Sequence, residues 1–189
     1  MFGLPRERAS YHYGSDSYRH IDRMLDTSRR MHIVSPYLDR YYAERIFRNA
    51  SRSEFYIISS SMDEGARHVL RRRGSLPTLA VYGLFSAALL YAFIALGIYG
   101  YALLAPAIPL VIGMAKYRSS SSRSRRIHLK VPDRFVHAKM YVSERQAVMG
   151  SANLTYKGMH SNVEAIEVTE EQDKVDKLLD QFWEMWDKY

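Results

Sequence analysis

The chain has 189 residues, of which 47% are hydrophobic and 13% aromatic, enough for one folded domain and too apolar for a disordered one. Its formal charge of +7 points to an anionic partner: a nucleic acid, a phospholipid headgroup or a membrane surface. It has no cysteine, which excludes a disulfide scaffold and a thiolate metal site.

The first ten residues contain Arg6, Glu7 and Arg8 and no apolar core, so no cleaved secretory signal is expected there. Ile21, Met24 and Leu25 recur at helical spacing and predict a helix over Tyr18–Arg30, with Ser15 or Asp16 available to cap it. Met31–Ser35 is a short apolar run stopped by Pro36 and reads as a buried strand. Asp39–Ala50 reads as a helix, Phe55–Ser59 as a second strand and Met62–Arg73 as a further helix.

From Gly74 to Ala115, about 42 residues, there is no charged side chain, roughly twice what one helix needs to cross a bilayer. The run divides at Gly97-Ile98-Tyr99-Gly100 into a half from Pro77 to about Leu96 and a half from about Tyr99 to Ala115. Arg71-Arg72-Arg73 precedes it, and Lys116, Arg118, Arg123, Arg125 and Arg126 follow. The expectation is therefore a transmembrane hairpin with both ends on the cytoplasmic side. Pro106 and Pro109 also allow a re-entrant hairpin that does not fully span. The flanking basic clusters suit anionic lipid headgroups better than nucleic acid, and Ser119–Ser122 with Ser124 reads as a slack linker.

Ile127, Leu129 and Val131 alternate as in a strand. Phe135–Val142 and Gln146–Met149 read as two strands joined near Ser143-Glu144-Arg145, and Glu164–Val168 as another. Glu170–Lys188 is an amphipathic helix with Val175, Leu178, Leu179, Phe182 and Trp186 on one face; Trp186 and the nearby Trp183 are expected to anchor the core. Helices alternating with strands give an α/β fold, a mixed sheet flanked by helices, with the hairpin inserted in it. The expected division is 1–73 for the first part of the domain, 74–116 for the hairpin, 117–126 for a basic and serine-rich linker, and 127–189 for the second part.

The chemistry gathers between His137 and Glu164. His137 and Lys139 are two apart and share a face if the chain is extended; Ser151 and Asn153 repeat that spacing after the next strand. Gly150 before them allows close backbone approach. An imidazole, an ammonium, a hydroxyl and a carboxamide suit a phosphodiester: donors hold the non-bridging oxygens while a histidine attacks phosphorus. His128 and His160 are expected to be incidental. No metal cluster is evident in the sequence.

The stretch from His137 to Glu144, followed by Gly150-Ser151-Ala152-Asn153, resembles the H-x-K-x4-D…G-S-x-N signature of the phospholipase D superfamily. Asn162-Val163-Glu164 resembles the N-x-E segment of its single-motif, nuclease-like branch, and Ile33-Val34-Ser35-Pro36-Tyr37 resembles its first strand. Two features depart from the signature: Glu144 stands for the usual aspartate, and the gap to Gly150 is one residue shorter. Both fall at a turn where that acid is mainly structural.

The resemblance implies a metal-independent and cofactor-free phosphodiesterase acting through a phosphohistidine. A chain with one motif would complete the site as a homodimer, each copy giving His137, Lys139, Ser151 and Asn153. Lys139 and Asn153 would hold phosphate oxygens, and Glu164 would accept a hydrogen bond from His137. The implied partners are a second copy of the chain, membrane lipid, and a nucleic acid or phospholipid substrate. A headgroup hydrolase or transferase, and a membrane-tethered binding module without turnover, are the alternatives.

Overall fold

The computed structural model describes residues 9–14, 16, 18–71, 76–95 and 107–189. It divides into two units: Met1–Leu70 with Arg126–Tyr189, and the intervening Arg71–Arg125.

The first unit is built on a seven-stranded mixed sheet in the order β1-β9-β8-β7-β2-β4-β6. The strands are β1 (Ala9–Gly14), β2 (Arg30–Val34), β4 (Glu54–Ile58), β6 (Ile127–Lys130), β7 (Met140–Val142), β8 (Ala147–Gly150) and β9 (Glu164–Thr169). The short β3 (Tyr37–Leu38) and β5 (Ser61–Met62) pair in parallel beside it. β2, β4 and β6 run parallel; β7, β8, β9 and β1 continue the sheet antiparallel.

Alternation along the strands sorts the core into two layers. Met31, Ile33, Phe55, Ile57, Tyr141, Val148, Ile166 and Val168 are buried with Ile21, Met24 and Leu25 of α1 (Tyr18–Thr27), Tyr42 and Ile46 of α2 (Arg40–Asn49), and Val69 of α3 (Glu64–Leu70). Val34, Ile58, Met140, Val142 and Ala147 of the opposite face bury Val175 and Phe182 of the last helix, Gln172–Lys188. Trp183 and Trp186 pack in that second layer, as expected of core anchors. Arg45 of α2 reaches Asp22 at 2.7 Å and Asp26 at 2.5 Å, which fastens α1 to α2 and holds the Arg45 guanidinium above its usual pKa. Asp39 caps α2 by accepting from the Tyr42 amide at 3.1 Å.

His32 lies inside the second layer. It is 4% exposed, stacked on Tyr56 and edge-on to Phe182 and Trp183, and burial lowers its pKa to about 4. An unfolded histidine takes up its proton near pH 6.5, so the folded state is fully favoured above that pH and loses ground as pH falls towards 4. By about pH 5 the expected loss is about 2 kcal/mol. Thermal unfolding followed against pH checks this, and His32→Leu should flatten the acid limb.

The second unit contains α4 (Leu76–Ala95) and α5 (Ala107–Ser124), which pack on each other. A Cβ at Gly113 would lie 2.7 Å from Cβ of Tyr82, and Lys116 Nζ donates to the Tyr82 hydroxyl at 2.8 Å. Among the described residues no helix is long and apolar enough to cross a membrane, so the expected transmembrane hairpin finds no support here. Its turn at 97–100 and the start of its second half lie outside the described residues. The serine-rich linker expected after it is corrected: α5 stays helical to Ser124. No glycine or proline follows Gly113 before β6, and Arg123 in the last turn complements the helix dipole.

Of the strand expected over Phe135–Val142, only Met140–Val142 joins the ladder, because Val136 exchanges its amide and carbonyl with the Ser60 hydroxyl at 2.8 and 3.3 Å. The helix expected over Met62–Arg73 covers Glu64–Leu70, since Ser61 and Met62 pair with β3. The first helix ends at Thr27, so Arg30 instead opens β2.

Candidate active site

Lys139 Nζ lies 3.2 Å from each ring nitrogen of His137 and donates to the His137 carbonyl at 2.9 Å. The extended stretch before β7 therefore delivers both side chains to one place. His137 is exposed, whereas Lys139 is 8% exposed. Burial lowers the Lys139 pKa, and the Glu164 carboxylate opposes that shift.

Ser151 follows β8 and Glu164 opens β9, and the pairing of those strands brings them together. The Ser151 hydroxyl donates to Glu164 Oε2 and accepts from the Ala165 amide at 3.1 Å. Asn162 Nδ2 donates to Glu164 Oε1 at 3.1 Å. Glu164 is thus held by Ser151 and Asn162 rather than by His137, a correction to the contact expected of it. It is 6% exposed, and these two donors satisfy a carboxylate that burial would otherwise leave isolated.

Gly150 has a packing reason. A Cβ there would lie 2.2 Å from the Ala165 carbonyl oxygen and 2.8 Å from Ile166 Cα, so β8 and β9 approach this closely only because residue 150 has no side chain.

Around these groups is an open pocket of about 750 Å³. His137, Lys139, Gly150 and Ser151 line it together with Tyr11, His12 and Tyr13 of β1, Met149 of β8, and Ala165 and Glu167 of β9. Asn153, expected as a phosphate clamp, is absent from that lining; its Oδ1 is buried and accepts no hydrogen bond among the described residues. The β1 wall was invisible to sequence reasoning. Tyr11 and Tyr13 are 80% and 83% exposed, and an edge strand with two half-wet faces shows no apolar alternation. The short helix α6 (Tyr156–His160) was missed as well, though its Thr155 cap, which accepts from Gly158 N at 3.0 Å, was a legible signal. Among the described residues no three His, Asp or Glu side chains converge as metal ligands.

Glu144 Oε1 accepts from the Arg30 backbone amide at 2.6 Å and so ties the β7–β8 turn to the start of β2. The acid that departs from the signature is thus used for strand pairing. Glu144→Ala is expected to cost about 1 kcal/mol in unfolding free energy, as the loss of a capping bond does, with turnover retained. Denaturant unfolding beside an activity assay checks both halves.

Residues 102–186 match the family model described as "Cardiolipin synthase, PLD-like domain". The structure is similar to Nuc from Salmonella typhimurium, a phospholipase D family member, at 14% identity and TM-score 0.52, with 95% of each chain covered. The fold is phospholipase D-like. NucT from Helicobacter pylori is similar to the same degree, at 14% identity and TM-score 0.51, again over 95% of both chains. TrmBL2, an archaeal chromatin protein described as binding DNA, aligns with 98% of this chain at 14% identity and TM-score 0.48; this chain spans 54% of TrmBL2. No curated protein sequence matches the chain. In the phospholipase D-like fold found here, the match of residues 102–186 takes in the whole motif from His137 to Glu164.

Proposed function

We propose that this chain is a metal-independent phosphodiesterase that attacks phosphorus with His137 and acts on nucleic acid. The placement of the Lys139 ammonium against the His137 ring in an open pocket carries this reading. His137 forms an N–P bond while Lys139 holds a non-bridging oxygen, and the P–O bond to the leaving alcohol breaks. A second imidazole gives that alkoxide its proton, then takes one from the water that attacks phosphorus and releases His137. One chain has one such motif, so the second imidazole is His137 of a second copy, and the exposed side of the pocket leaves room for it. Ser151 and Asn162 fix Glu164, whose charge opposes the lowering of the Lys139 pKa by burial.

The helical pair α4–α5 is proposed as the membrane attachment, with the catalytic unit on the cytoplasmic side. It exposes Val81, Leu84, Phe85, Ile94, Ile108 and Val111, a surface that calls for an apolar cover. That surface, together with the match to a model named for cardiolipin synthase, favours a second reading: hydrolysis or transfer of a phospholipid headgroup.

The deciding experiment offers single-stranded DNA, duplex DNA and phospholipid liposomes in parallel to the protein in detergent, with EDTA present. Cleavage of DNA supports the nuclease reading, and headgroup release or exchange supports the second. Turnover of neither, in a dimeric protein, overturns both in favour of a binding module.

A further inference from the structure

Beside the catalytic pocket, beyond the edge strand β1, lies a second cavity of about 240 Å³, lined by His12, Tyr13, Asp16, Arg19, His20 and Arg23. His12 and Tyr13 line both cavities, so the two are neighbours across one strand. The second belongs to no step of the reaction described above. Its composition is one-sided: two guanidinium groups and two imidazoles face a single carboxylate. That carboxylate, Asp16, meets Arg19 at 3.6 Å with both side chains about 70% exposed, a pairing of little worth in water. Arg23 has no carboxylate partner among the described residues, and His12 and His20 lie ring to ring at 4.2 Å.

Packing does not account for this gathering of like charge. The buried side chains of α1 are Ile21, Met24 and Leu25; Arg19 and Arg23 are exposed. Burial, with His12 and Arg23 beside it, lowers the His20 pKa, while Glu170 acts the other way. His20 and His12, whose Nε2 meets the Ser10 hydroxyl at 2.9 Å, add imidazole nitrogens, and the charge comes from the two arginines. Two guanidinium forks beside two imidazoles are the donor set of a phosphate site.

We infer that Arg19, Arg23, His12 and His20 form a second phosphate subsite, which takes the phosphodiester next to the one cleaved at His137 in a single-stranded nucleic acid. The inference rests on the phosphodiesterase reading for the meaning of "next". A polymer with a phosphate at each nucleotide has an anion to place in both cavities, whereas a lipid with one phosphate has none for the second. Tyr13, which lines both cavities, and Tyr11, which lines the first, give bases a face to stack on.

The test measures binding, so that turnover does not decide it. A fluorescent 12-nucleotide oligo(dT) is titrated into His137→Ala protein and into the same protein carrying Arg19→Ala with Arg23→Ala, over a series of salt concentrations. The expected result is affinity about tenfold weaker and a salt slope shallower by roughly 1.4, at about 0.7 per lost single-strand contact. Arg19→Lys with Arg23→Lys should restore most of the slope, which a merely structural role would not require. Unchanged affinity and slope overturn the subsite. Loss of binding to vesicles containing anionic lipid, with oligonucleotide binding intact, also overturns it and assigns the arginines to a membrane surface. If the His137→Ala protein binds through the two arginines yet the protein with His137 intact cleaves nothing, the subsite stands and the phosphodiesterase reading falls; if the protein with His137 intact cleaves DNA while the arginine variants bind as before, the reverse holds.

Discussion

Replacing His137 with alanine is expected to lower turnover by about 10⁴-fold or more while leaving the unfolding temperature nearly unchanged. The rate effect follows from the proposed role: without the imidazole there is no N–P bond, and the remaining donors can only position the phosphodiester. The stability effect follows from the surroundings. His137 is exposed, and its contacts with Lys139 include one that uses only its backbone carbonyl. Loss of an exposed ring away from the core costs within about 0.5 kcal/mol. Single-turnover assays with 32P-labelled substrate should show a phosphorylated protein in the parent and none in the variant. A variant that kept a tenth of the parent rate would show that another group attacks phosphorus.

Gly150→Ala is expected to be the most damaging small substitution in the sheet, at about 3 kcal/mol, the upper range for overpacking. The methyl would meet backbone at 2.2 and 2.8 Å, and backbone between paired strands has no rotamer into which it can move aside. Relief requires β8 and β9 to separate where Ser151 leaves one and Glu164 enters the other. Turnover should therefore fall together with stability. Denaturant unfolding gives the first quantity, and activity measured well below the new midpoint gives the second. Retention of full stability would mean that β8 and β9 do not approach as described.

That His137, Lys139 and Ser151 line one pocket was legible in the sequence because the grouping is local. His137, Lys139 and Ser151 lie within fifteen residues of one another, and strand periodicity with one hairpin was enough to bring them together. Glu164 was legible as a member of the site but not in its contact, since the choice between His137 and Ser151 depends on the β8–β9 register. Asn153 shows the same limit from the other side. The two-residue rule that placed it beside Ser151 assumes an extended chain, and here the chain bends at Ser151. Buried strands such as β2 and β4 announced themselves by their apolar runs, while β1, wet on both faces, did not. The serine-rich end of α5 was misread because composition stood in for structure: serine is only mildly unfavourable in a helix, and nothing nearby stops one.

The order of strands has a consequence for how the chain comes together during synthesis. β7, the direct neighbour of β2, is made more than a hundred residues after it, on the far side of the helical pair. When β2 and β4 leave the ribosome, one side of β2 has no strand to pair with until Met140–Val142 arrives. A nascent half-sheet with an open edge must wait through the whole of the insertion, and it is the interval in which a strand from another molecule could take the place.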